Sequence, residues 1–169
     1  MALLRNLRNI LEVGVEEEIL SKVCEKISSS HAVVNSKQMP FRFYSAFREL
    51  QQVVKPETNL VIDALEEAVA YSAMNIQGFD ENTSVLLACD VSGSMDYPVS
   101  RNSKIMRYDI GILLSSVLKT KCKKVISGVF GDNWLPVVGG PKQILANAEW
   151  MQSFADKVGY STNGYKVID

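Results

Sequence analysis

Asp90, Ser92 and Ser94 stand at alternate positions directly after the apolar run 84–89, with Gly93 between the two serines. A carboxylate at the end of a buried strand, followed by two hydroxyls at alternate positions of a turn, is a donor set for a hard cation. Gly93 permits the tight backbone that lets both hydroxyls point the same way. One carboxylate with neutral oxygens and waters suits an ion that takes oxygen ligands and keeps part of its hydration: Mg²⁺ first, then Mn²⁺ or Ca²⁺. Such a set under-neutralises the ion. It leaves a coordination position for an acidic group from outside, either a protein carboxylate or a phosphate. The plainer reading of the same residues is a strand-to-helix turn in which Asp and Ser cap backbone amides.

A second kind of chemistry is carried by basic side chains. Arg5 and Arg8 lie three residues apart on one helix face, Arg42 follows Pro40 and Phe41, and Lys37 sits in the loop before them. Groups of this kind contact RNA phosphates; the alternative is a solvated helix face. Phe41, Phe43, Tyr44 and Phe47 have helical spacing and read as core rather than as a platform for bases. His31 is the single histidine and stands in a polar stretch. Ser92 lacks a G-x-S-x-G elbow and a partner base, so no nucleophile–base pair is recognisable and the expectation is a binding protein, not an enzyme. Asp132, after Phe130 and Gly131, is either a support behind the cation-binding turn or a simple strand-end turn residue. The cluster of lysines at 119, 121, 123 and 124 reads as a helix end favoured by the dipole.

The elements that must position these groups fall into two kinds. Leu3, Leu4, Leu7, Ile10 and Leu11 predict a helix over 2–12 that opens the chain without a cap, as in a piece of a longer protein. Val15, Ile19, Leu20, Val23 and Ile27 predict a second, with Glu16, Glu17 and Glu18 where the dipole favours anions. The stretch 28–38 reads as a polar connection. Pro40 suits the first position of a third helix, with Phe41, Tyr44, Phe47 and Leu50 on its packed side. A fourth opens at 56–59 and buries Leu60, Val61, Ala64, Leu65 and Ala68. The stretch 77–83 is a linker. Then the pattern changes: a continuous apolar strand at 84–89, of the type covered on both faces of a parallel sheet; a loop at 96–103; a helix over about 104–119; a strand at 124–130. A short third strand at 134–138 is confined to a sheet edge by Pro136. Leu145, Ala148, Met151, Ala155 and Val158 mark a further helix, 159–164 a loop, and 165–169 the start of something helical. Helices followed by strand–helix–strand–helix order predict an α + α/β fold: a helical-repeat (HEAT-like) segment, then part of a doubly wound, Rossmann-like sheet.

Composition bounds the partners. Of 169 residues, 47% are hydrophobic and 22% charged, so a folded core is expected, and the formal net charge of −1 gives no global attraction to nucleic acid. The balance is uneven: residues 1–83 carry 8 basic and 12 acidic side chains, residues 84–169 carry 10 and 7. Cys24, Cys89 and Cys122 are scattered and lack C-x-x-C spacing, which suits reduced thiols in a cytoplasmic protein. No apolar run is long enough to span a membrane, and charges interrupt the first residues where a signal peptide would be apolar.

The D-x-S-x-S turn resembles the metal-ion-dependent adhesion site of von Willebrand factor A domains, which adds a Thr on a second loop and an Asp on a third. The resemblance implies that Asp90, Ser92 and Ser94 are the first-loop ligands and that Thr162, within GYSTNG at 159–164, is the second-loop ligand. The third-loop Asp would follow a strand beyond residue 169. The order of segments is more specific still. MALLRNLR at 1–8, PFRFYSAF at 40–47 and DALEEA at 63–68, leading into LLACDVSGSM at 86–95, resemble the Ro autoantigen family. That family joins a TROVE domain, a ring of helical repeats, to an A domain. The resemblance implies that 1–80 are the last helices of the TROVE-like module and 81–169 the first part of an A domain. It also implies an RNA-binding scaffold in RNA quality control, whose partners are small non-coding Y-type RNAs and the 3′ ends of misfolded RNAs, with a divalent metal, Mg²⁺ first, in the Asp90 turn. The competing expectation is an adhesion or assembly module in which the metal captures a protein carboxylate and no RNA is bound.

Overall fold

The computed structural model describes residues 2–169. The chain divides into two compact units, one ending at Gln77 and the next beginning at Gly78.

The first unit holds five helices: α1 (Ala2–Val13), α2 (Glu17–Ile27), α3 (Ser30–Ser36), α4 (Pro40–Leu50) and α5 (Thr58–Ser72). α5 is the spine. Val61, Leu65, Ala68 and Val69 are all fully buried on it, and α2, α3 and α4 pack around it. α1 lies on α4, sending Leu7 and Leu11 inward. Lys55, in the α4–α5 connection, donates from Nζ to the carbonyls of Leu11 and Glu12, the latter at 3.0 Å, and so satisfies the C-terminal end of α1. α4 starts with Pro40 at its first turn, where a missing N–H costs nothing.

Three expectations about this unit are corrected. Residues 30–36 are helical, not a connection: Ser29 Oγ accepts the Ala32 N–H at 3.3 Å, Val33 is the one buried anchor, and Lys37 ends the helix in the left-handed region at φ +52°. On α4 the packed side is Phe43, Tyr44, Phe47 and Leu50, while Phe41 is 42% exposed. Leu60 also faces outward on α5.

The second unit is β1 (Ser84–Asp90), α6 (Arg107–Lys121), β2 (Lys124–Phe130), β3 (Trp134–Pro136) and α7 (Ile144–Gln152), with short 3₁₀ turns at Gly93–Met95, Ala155–Lys157 and Gly164–Val167. β1 and β2 are parallel, in register from Ser84 against Lys124 to Asp90 against Phe130. The crossover between them is α6, as a parallel pair requires. α6 packs on β1 and on α7 through Ile112, Leu113, Ser116 and Val117. β3 returns antiparallel to β2 and leaves Pro136 at an edge. β1 is not covered on both faces. Among the described residues it pairs with β2 alone, and Leu86 and Ile126, neighbours in the register, are 48% and 62% exposed on the face away from α6. The helix expected to run on to Val158 ends at Gln152 and continues as a 3₁₀ turn.

Candidate functional site

The parallel register brings the carboxyl ends of β1 and β2 level, and the turns leaving them share one edge of the sheet. Val91 N donates to Phe130 O at 3.0 Å, carrying the pairing one residue past Asp90. The chain then turns. Ser92 N donates to Asp90 Oδ1 at 2.9 Å, an Asx-type turn, and among the described residues Oδ2 takes no hydrogen bond. Ser92 is fully buried and its Oγ lies 3.3 Å from Ser94 Oγ. Thr162 reaches the same hydroxyl from the loop after α7: its Oγ1 donates to Ser92 Oγ at 2.9 Å. One carboxylate and three hydroxyls from two loops are thus gathered in one place. Among the described residues no group of three or more His, Cys, Asp or Glu comes together in the manner of a metal cluster. The donors are almost all neutral oxygens, a set that fits a hydrated hard cation and not a soft one.

The structure also corrects the part given to Gly93. Its φ is not positive, and a Cβ there would sit 3.6 Å from Tyr160 O, in ordinary contact. Its contribution is the N–H it donates to Tyr160 O at 2.9 Å, a tie between the two loops that side-chain reasoning could not find. Arg107, at the start of α6, was likewise missed. Its Nη1 donates to Ser94 O at 3.1 Å and its guanidinium lies 5.7 Å from the Tyr97 ring centroid. Asp132 stands behind the Thr162 loop, with Oδ1 accepting the Ser161 N–H at 2.9 Å. Hydrogen bonding to Ser161, through its side chain and its amide, holds the Asp132 carboxyl below its ordinary range.

In the helical unit, α1 and α4 enclose an open cleft of about 520 Å³ lined by Arg5, Arg8 and Arg42 together with Asn9, Ser45, Glu12 and Glu49. Arg5 and Arg8 come from one face of α1, and Arg42 from the facing side of α4. Three of the four basic residues singled out in the sequence therefore converge. Lys37 does not: it is the cap of α3 and lines no part of this cleft. The three cations differ in their partners. Arg8 Nε contacts Glu12 Oε1 at 2.7 Å and its Nη1 lies 3.6 Å from Glu49 Oε2. Arg42 places its guanidinium 5.0 Å from the Phe41 ring centroid. Arg5 has no ion-pair partner among the described residues. No helix of the structure, among the described residues, is long and apolar enough to cross a membrane.

Residues 1–61 match the family model of the TROVE domain. The chain is similar to the crystal structure of the Ro (RSR) protein of Deinococcus radiodurans, with a TM-score of 0.62 and 27% sequence identity over 95% of this chain and 34% of that one. The family match and the structural likeness support membership of the Ro/TROVE family. The chain spans about a third of the length of the Deinococcus protein. No curated protein matches it.

Proposed function

We propose that this chain is part of an Ro-type RNA-binding scaffold that acts in the cytoplasm by binding and not by catalysis. The observation that carries this reading is the cleft between α1 and α4, within the segment that matches the TROVE domain, where Arg5, Arg8 and Arg42 line one opening. Guanidinium groups around a cleft suit a phosphate backbone, and Asn9 and Ser45 add neutral hydrogen-bonding groups beside them. The likeness to the Ro family adds the ligand class: small non-coding RNAs and single-stranded 3′ ends of misfolded RNAs. In the α/β unit, Asp90 and the hydroxyls of Ser92, Ser94 and Thr162 would hold a divalent cation, Mg²⁺ first. The ion would supply an open coordination position for an acidic group. A second reading, a protein-assembly module that captures a partner carboxylate, is favoured by the outward position of Ser94 and Thr162, which are exposed while Ser92 is buried.

Filter binding of the full chain to structured RNAs with free 3′ ends, over a range of salt, tests the first reading. Binding should weaken as salt rises. Arg5→Ala with Arg42→Ala should lower both the affinity and the salt slope, by about one unit of slope for each phosphate no longer neutralised. Absent binding, or binding indifferent to salt, overturns it.

A further inference from the structure

The turn that follows β2 is bonded to the Thr162 loop on both sides of Thr162. Asp132 Oδ1 accepts the Ser161 N–H at 2.9 Å, and Asn163 Nδ2 donates to Asp132 O at 3.1 Å. Asn163 N donates to Gly131 O at 3.0 Å. The two backbones approach so closely that neither tolerates a side chain. Gly159 has φ +77°, and a Cβ on it would collide with the Asp132 carboxylate; a Cβ on Gly131 would collide with Gly159 O. From its other side the same loop reaches the Asp90 turn, through Tyr160 O to Gly93 N and Thr162 Oγ1 to Ser92 Oγ. The loop is thus held between two strand-end turns, one bearing Ser92 and the other Asp132.

We propose that Asp132 is a positioning residue for the cation site: by accepting the Ser161 N–H it fixes the backbone beside Thr162 and so sets where the Thr162 hydroxyl stands relative to Asp90, Ser92 and Ser94. This rests on the metal reading above. Asp132 acts through the loop. Its bonds run to Ser161 and Asn163 and not to the donor set. What the task needs is an acceptor oxygen at this place: Asp132 Oδ1 stands 2.9 Å from the Ser161 amide nitrogen. Residues that orient a ligand from behind are felt in metal affinity although they never touch the ion.

The experiment compares wild type, Asp132→Ala, Asp132→Glu and Asp132→Asn in the full chain. Mn²⁺ affinity is read by electron paramagnetic resonance, and thermal melts are taken without metal and with Mg²⁺. Glu keeps the charge and displaces the acceptor; Asn keeps an acceptor in place and removes the charge. Positioning predicts that Ala and Glu each weaken Mn²⁺ binding by about tenfold or more and shrink the Mg²⁺-induced rise in Tm, while Asn stays within about threefold of wild type. Where Ala fails to fold, Glu against Asn decides. The inference is overturned when Glu binds like wild type, since the charge would then suffice wherever the acceptor stands, or when Asn loses as much as Glu, since an acceptor kept in place would then fail to preserve the site. A wild-type chain that binds no Mn²⁺ overturns the metal reading itself. Wild-type binding with unaffected variants removes Asp132 and leaves that reading standing.

Discussion

Thr162 Oγ1 donates to Ser92 Oγ at 2.9 Å across a separation of 70 residues, and Ser92 is fully buried. A buried hydroxyl therefore joins the turn after β1 to the loop after α7. Thr162→Val keeps the shape of the side chain and removes the donor. It is expected to lower stability by about 1 kcal/mol, the usual net worth of a hydrogen bond whose loss leaves one partner buried. Urea unfolding followed by circular dichroism measures this. A midpoint and slope equal to wild type would show that the bond carries no stability.

The Arg8 guanidinium sits between Glu12 and Glu49 in the α1–α4 cleft, so one of the three cations there is already engaged. All three side chains are open to water, at 41%, 46% and 39% exposed, and ion pairs so exposed add little to stability. Removing the carboxylates should therefore leave the fold nearly unchanged while releasing Arg8 and cancelling repulsion of phosphate. Glu12→Gln with Glu49→Gln is expected to tighten RNA binding several-fold and to steepen its salt dependence by about one unit of slope, as one more phosphate is neutralised. Equal affinity and slope in the double variant would place the RNA elsewhere.

Local signals were legible in the sequence and long-range ones were not. The start of α4 rests on Pro40, the β1 strand on an unbroken apolar run, and the turn at Asp90 on residue types that bond their own backbone; each can be read within a few residues. α3 was hidden because it is built from Ser, His and Asn, with Val33 as its one buried anchor. The exposed face of β1 was hidden because its burial depends on which strands pair with it, not on its own composition. In the candidate site, Asp90, Ser92 and Ser94 could be named from residue type and spacing, and Thr162 only from the resemblance to A domains. The ties through Tyr160 O, Gly93 N and Gly131 O are backbone groups, which carry no signature in the sequence.

Asp80 opens the turn into β1. Its Oδ1 accepts from Thr83 Oγ1 at 2.8 Å, from Asn82 N at 2.9 Å and from Thr83 N at 3.0 Å. These bonds, the Thr83 hydroxyl first, hold its carboxyl below the ordinary range. A lowered folded pKa means that the turn's stabilisation is present above the unfolded value near 3.9 and is lost as pH falls through the folded value. A carbon-detected NMR titration should place the Asp80 midpoint below that of an unfolded peptide, and Thr83→Val should move it back up. A midpoint that ignores Thr83 would sever this link.

Cys89, on the α6-facing side of β1, is 5% exposed, and burial pushes its thiol up to about 11. Burial raises Cys24 as well. The thiolate is the reacting form, and at pH 8 a thiol of this kind is ionised to roughly one part in a thousand. Iodoacetamide should therefore label Cys89 in the native chain more slowly than in urea by about 100-fold or more, through transient opening. The same shift has a stability sign. Above pH ~8.5 the unfolded chain ionises first, so stability falls as pH rises toward the folded value. Cys89→Ala should flatten that alkaline decline, measured as the urea midpoint from pH 7 to 10. Rapid native labelling of Cys89 at pH 8, resolved by mass spectrometry, would contradict a closed β1–α6 layer.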